Sequence, residues 1–307
     1  MRKAVTFFLL LISIAVLAAC GGEATDAGGK LRVVSTTGQI HDAVLNIAGD
    51  RVTATGLLGP GIDPHLYVAT EGDVSTFAEA DIIFYNGLFL EAQMERILEQ
   101  LASSKTVVAL GDAQPEAQLI AVGGGEHDPH IWNDPVLWSG VVELVRDTLM
   151  DEDPDNADFY ETNAENYLAE IAATHEYVLE QVATIPEEKR VLITAHDAFG
   201  YYARAYGFEV AGLQGLSTES EASTDDVQHL AELIVSRGIP AIFVETSVPP
   251  RNIEAVQAAV SAQNFTVNIG GSLFSDALGE RGHEAETYIG MLRYNTDTIV
   301  AALTGGE

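Results

Sequence analysis

The sequence predicts an α/β protein of two lobes, each with a central parallel sheet, joined by one long rigid helix. Three observations lead there. Short β-branched runs alternate with helical patterns in two separate sets. Between the sets lies one unbroken stretch of helical periodicity. The chain's 307 residues, 47% of them hydrophobic, also exceed the size at which single cores stop growing, roughly 250–300 residues.

In chain order, Met1-Arg2-Lys3 precedes an uncharged apolar run over residues 4–19 that ends Leu17-Ala18-Ala19-Cys20-Gly21. A basic start, a short apolar run and small residues make an export signal, whereas a membrane-spanning helix needs about 20 apolar residues. Residues 1–19 are therefore expected to be a signal peptide. Leu-Ala-Ala-Cys resembles the lipobox of bacterial lipoproteins, which makes Cys20 the expected lipidation site. Cys20 is the only cysteine, so no disulfide can form within the chain. Residues 20–30, rich in Gly, Ala and acids without apolar period, read as a flexible tether.

The first lobe, residues 31–153, is expected to carry strands at 31–35, 52–58, 81–85 and 106–110, with helices between them. Residues 154–186 form the connector. Phe159, Tyr160, Tyr167, Ile171, Tyr177, Val178 and Val182 recur there at spacings near three and four, with no interior Gly or Pro before Pro186. A helix of about 25–30 residues would span some 40 Å, the length of a domain. So stiff a connector argues against large domain closure. The second lobe, residues 187–307, repeats the scheme with strands at 190–195, 208–211, 241–245 and 266–269.

The formal charge is −31; loss of residues 1–19 removes Arg2 and Lys3 and takes it to −33. Such a surface repels phosphate backbones and anionic headgroups and concentrates cations, so nucleic acid is excluded as a partner.

Of eight histidines, His175 and His229 lie in helical stretches and read as solvated, and His283 as an exposed loop residue. His41 reads as a helix-start or interlobe residue. His65, His130, His196 and Asp276 share a different setting, since each follows a predicted strand, where the loops of open α/β sheets converge on ligands. They can meet between the two lobes. Three imidazoles and a carboxylate suit Zn²⁺, Mn²⁺ or Fe²⁺ better than Ca²⁺ or Mg²⁺, which prefer oxygen shells. The tripeptide Asp-Pro-His occurs twice, at Asp63-Pro64-His65 and Asp128-Pro129-His130. Each proline stiffens its loop and presents the imidazole in a fixed direction. His127, three residues before His130, is an alternative ligand. Glu245 ends a strand near the same sheet edge and reads as a hydrogen-bonding group behind the ligands.

Longer words carry a resemblance. PGIDPHLYVAT, DPHIWNDP, HDAFGYYARAYGF, LQGLSTESEAS, FVETSVPPRNIEAVQ, LFSDALG and TYIGMLRYNTDTIVAAL run in order from about residue 31 to residue 303. They resemble the solute-binding lipoproteins of bacterial zinc and manganese ABC importers, most closely the TroA-like branch with its ZnuA and PsaA relatives. The resemblance implies one transported divalent metal held by His65, His130, His196 and Asp276, two ligands from each lobe. It also implies a monomer, lipid-anchored on the periplasmic or cell-surface side of the membrane, that delivers the ion to a membrane permease. Manganese and iron receptors often carry Glu where His196 stands, which ranks Zn²⁺ or Mn²⁺ ahead of Fe²⁺. Two departures stand out. YVAT lacks the family's acid-proline pair, and AVGGGEH replaces the long His-rich loop of dedicated zinc receptors. An adhesin role, attributed to some members, has no sequence signal here. The competing class is a secreted zinc-dependent hydrolase, which needs an open coordination position and a base; no HExxH or GxSxG word is present.

Overall fold

In the computed structural model of the chain, residues 29–305 are described; the predicted signal peptide, Cys20 and most of the tether lie outside them. From Leu31 onward the chain forms one compact unit. Four strands, β1 (Arg32–Ser35), β2 (Thr53–Gly56), β3 (Ile82–Tyr85) and β4 (Thr106–Ala109), make a parallel sheet in the order β2-β1-β3-β4. In register, Val33 sits between Ala54 and Ile82. Helices α1 (Gly38–Ala48), α2 (Glu71–Glu79) and α3 (Glu95–Ala102) return the chain between strands. The helix α2 starts where Thr70 and Asp73 exchange hydrogen bonds in a capping box, satisfying amides that have no helical partner. The order reverses at β1, so the carboxyl ends of β1 and β3 border the crevice where ligands bind in such sheets.

A two-stranded antiparallel hairpin not anticipated from the sequence, β5 (Ala121–Gly123) and β6 (Glu126–His127), follows β4. Gly123, Gly124 and Gly125 turn it, all at positive φ, a conformation glycine adopts without a Cβ clash. It is too short for a period-2 pattern to register. Helix α4 (Pro135–Glu152) then begins at Asp134, whose carboxylate accepts from the amides of Val136 at 3.0 Å and Leu137 at 3.4 Å.

The connector is α5 (Ala157–Val182), 26 residues long, or roughly 39 Å. Its apolar stripe serves two cores. Tyr160, Ala164, Tyr167 and Ile171 pack with the first sheet, whereas Val178 and Val182 join Leu192, Phe199, Tyr202 and Phe243. Each such fully buried aliphatic side chain contributes about 1.5–3 kcal/mol. The second half holds β7 (Val191–His196), α6 (Gly200–Tyr206), β8 (Glu209–Gln214), α7 (Thr224–Arg237), β9 (Ala241–Glu245), α8 (Arg251–Ala262) and β10 (Asn268–Leu273). Its parallel strands pair as β7 with β8 and β9 with β10, and β7 lies against β9. Helix α9 (Tyr288–Thr304) also spans both halves: Tyr288, Met291 and Leu292 enter the first core, Ile299 and Leu303 the second-half core. Two helices thus fix how the sheets sit. Among the described residues, no helix is long and apolar enough to cross a membrane.

Candidate metal centre

The two Asp-Pro-His turns are built alike, and the aspartate does as much as the proline. Asp63 Oδ1 accepts from the His65 amide and Asp128 Oδ1 from the His130 amide, both at 2.9 Å. These are Asx turns, in which a carboxylate two residues back fixes the histidine's backbone. Asp128 Oδ1 also lies 2.7 Å from His130 Nδ1, so it holds the ring as well as the chain. Asp63 spends its other oxygen differently, accepting from Thr218 Oγ1 of the second half at 2.6 Å.

His196 is the last residue of β7, and Glu245 the last of β9. One carboxylate oxygen accepts the His196 amide at 2.9 Å and the other lies 2.5 Å from Nδ1. Neither side chain is exposed. With Nδ1 committed to Glu245, only Nε2 of His196 remains free to act as a donor atom. Asp276 follows β10, and its Oδ2 accepts from Ser247 Oγ at 3.2 Å. Trp132 Nε1 donates to the Ser275 carbonyl at 2.8 Å, tying that loop to the one carrying His130.

Three loops and the end of β7 bring His65, His130, His196 and Asp276 to one buried place, with one ligand-capable atom from each lying within 4.8 Å of all the others. The closest approaches are 3.3 Å between Nε2 of His65 and Nε2 of His130, 3.6 Å from His130 Nε2 to Asp276 Oδ1, and 3.3 Å from His196 Nε2 to Asp276 Oδ2. Donors around a tetrahedral Zn²⁺ with bonds of about 2.0–2.1 Å stand about 3.4 Å apart. His196 Nε2 and Asp276 Oδ1 are buried and have no hydrogen-bond partner. Burying such atoms is costly unless another interaction satisfies them. A shared cation would do so.

Burial pushes the His65 imidazole down to about 3, outweighing its attraction to Asp276. Burial also works against charge at His196 and Asp276, but their mutual attraction prevails. With Glu245 assisting, His196 is held well above the ordinary histidine range, and Asp276 well below the carboxylate range. Without metal, then, the pull of two buried carboxylates favours a proton on His196 against the opposing effect of burial.

His127 lies on β6, opposite Ala121, and is outside the group of four. His41, in α1, faces Ser35 Oγ at 3.3 Å. His229 and His283 are exposed. His175 differs from expectation: it is half-buried, with Nδ1 3.0 Å from the Tyr206 hydroxyl, because α5 packs on α6. Sequence reasoning missed the roles of Asp128 and Asp63 as carboxylate anchors. The signal was the acid two residues before each histidine, read only as context for the proline.

Residues 33–302 match the protein family described as zinc-uptake complex component A, periplasmic. The chain is 48% identical to the zinc-binding protein TroA of Treponema pallidum over 285 residues, covering 93% of this chain and 92% of that one. It is 42% identical to the manganese-binding lipoprotein MntA of Bacillus subtilis, covering 99% and 100% of the two chains. The solved structure of the periplasmic zinc-binding protein TroA from Treponema pallidum superposes with a TM-score of 0.88 at 49% identity, covering 90% of this chain and 99% of that one. With the family match extending over nearly all of the described residues, this chain belongs to the periplasmic zinc-uptake component A family.

Proposed function

We infer that the protein is the extracytoplasmic substrate-binding component of an ABC importer, capturing Zn²⁺ or Mn²⁺ as cargo through His65, His130, His196 and Asp276. The observation that carries this reading is the convergence of four buried donors, among which His196 Nε2 and Asp276 Oδ1 have no hydrogen-bond partner. The ion competes with a proton for His196, whose protonated form Asp276 and Glu245 favour. Glu245 and Asp128 keep the outer ring nitrogens of His196 and His130 engaged, so their Nε2 atoms face the ion. The Trp132–Ser275 and Thr218–Asp63 hydrogen bonds cross between the halves beside the two ligand pairs and support their alignment.

Delivery to a membrane permease, a monomeric state and a lipid anchor at Cys20 complete the proposal; the manganese-binding relative is itself called a lipoprotein. The family match and the composition of the site both disfavour a hydrolase. Such an enzyme needs an open position on the metal and a base facing it, whereas four side chains here offer enough donors to complete a tetrahedral shell and Glu245 is engaged by His196. The test is thermal: metal-stripped protein titrated with Zn²⁺ and with Mn²⁺ should gain several degrees in Tm. His196→Ala and Asp276→Ala should lose that gain, and retention of the wild-type shift in both would overturn the ligand assignment.

A further inference from the structure

We propose that the cation reaches and leaves the four donors past His65, through a port walled by the hairpin β5–β6 and the turn after β3. The inference rests on the metal-binding reading above and concerns its route. A cavity of about 100 Å³ is lined by His65 together with Phe89, Val122 and His127 of the first half and Leu216 and Ser217 of the second. Of the four proposed ligands it touches His65 alone. A larger groove of about 420 Å³, beside Asp63 and Glu221, touches none of the four.

The wall of the port is unusual in its backbone. Gly87, Leu88 and Phe89 succeed one another at φ of 76°, 54° and 63°, the left-handed region that residues with a side chain rarely occupy. Strain of this kind persists only where neighbours impose it. Here buried Glu91 accepts the amides of Asn86 at 2.8 Å and Gly87 at 3.0 Å, and Asp112 accepts the Leu88 amide at 3.4 Å. The turn leaves Phe89 60% exposed at the cavity, facing a hairpin whose Val122 is 42% exposed. Apolar side chains at the rim exclude water without gripping the ion. His127 offers an imidazole on the way in, which gives it a role in passage where it has none in the cluster of four.

A port sets rates without setting affinity, because a side chain outside the site alters the barrier equally in both directions. In the full-length protein, release of bound Zn²⁺ into excess chromogenic chelator gives the off-rate, competition with the same chelator gives Kd, and their ratio gives the on-rate. Val122→Trp should slow both rates at least tenfold, and Phe89→Ala should speed both severalfold, each with Kd within twofold of wild type. Glu221→Trp, in the larger groove, should change neither rate. The proposal is overturned if Phe89→Ala exchanges at the wild-type rate, if Glu221→Trp slows exchange, or if either port variant shifts Kd by more than twofold. Should Val122→Trp fail to fold, Phe89→Ala decides alone. Wild-type protein that takes up no Zn²⁺ would instead sink the metal-binding reading beneath it.

Discussion

Replacing Glu245 with Gln removes one charge from behind His196 while keeping the side chain's size. The carboxylate lies 2.5 Å from Nδ1, and an ion on the opposite ring nitrogen would stand roughly 6–7 Å from it. A dication replaces a single proton there, so Glu245 favours metal over proton by one extra unit of charge. At an effective dielectric near 20 that difference is about 2.5 kcal/mol. Gln also turns an NH₂ toward one of the two His196 N–H groups that Glu245 now accepts. The affinity for Zn²⁺ should fall about 10–100-fold, the range seen for groups that orient metal-ligating histidines. Proton counting supplies the second reading. Asp276 and Glu245 favour the protonated form of His196 against the opposing effect of burial, so loading near neutral pH should expel a proton from it. Glu245→Gln weakens that hold and lowers the number released. Calorimetric titration of metal-free protein with Zn²⁺, in two buffers of different ionisation enthalpy, measures both quantities. Wild-type affinity with unchanged proton release in the variant would refute the argument.

Two further outcomes follow from the same geometry. Metal-free protein should lose stability on acidification between pH 6.5 and about 3, because burial holds His65 down to about 3 in the fold. In that window the unfolded chain binds a proton that the folded chain refuses, so His65's contribution is complete above pH 6.5 and declines below it, by up to about 1.4 kcal/mol per pH unit. Urea melts across the range should show a shallower slope for His65→Gln, and equal slopes would count against the assignment. Separately, Tyr167 donates to buried Asp42 at 2.7 Å, joining α5 to α1, while the Tyr288 amide donates to the same oxygen at 3.2 Å. Tyr167→Phe should cost about 1–3 kcal/mol in denaturant melts and leave Zn²⁺ affinity unchanged, since Asp42 is outside the group of four. A shift in affinity would show that the core and the site are coupled.

By itself the sequence determined what is local. Alternating β-branched runs and 3.6-residue stripes marked the eight parallel strands and the connector, because side-chain periodicity records which face of an element is buried. Asp-Pro-His, written twice, identified two rigid turns, and residue type alone defined a donor set suited to a transition metal. Only the tertiary structure decided how far apart the donors stand. His65 and His130 lie 65 positions apart in sequence yet their Nε2 atoms approach to 3.3 Å, a separation set by how α5 and α9 pack across both halves. The same packing turned Glu245 toward His196 and left His127 beside the port, choices that depend on which loops share a sheet edge. It also allowed the strained turn at Leu88 and Phe89, which local preference opposes and which holds because Glu91 and Asp112, themselves positioned by the fold, accept its amides.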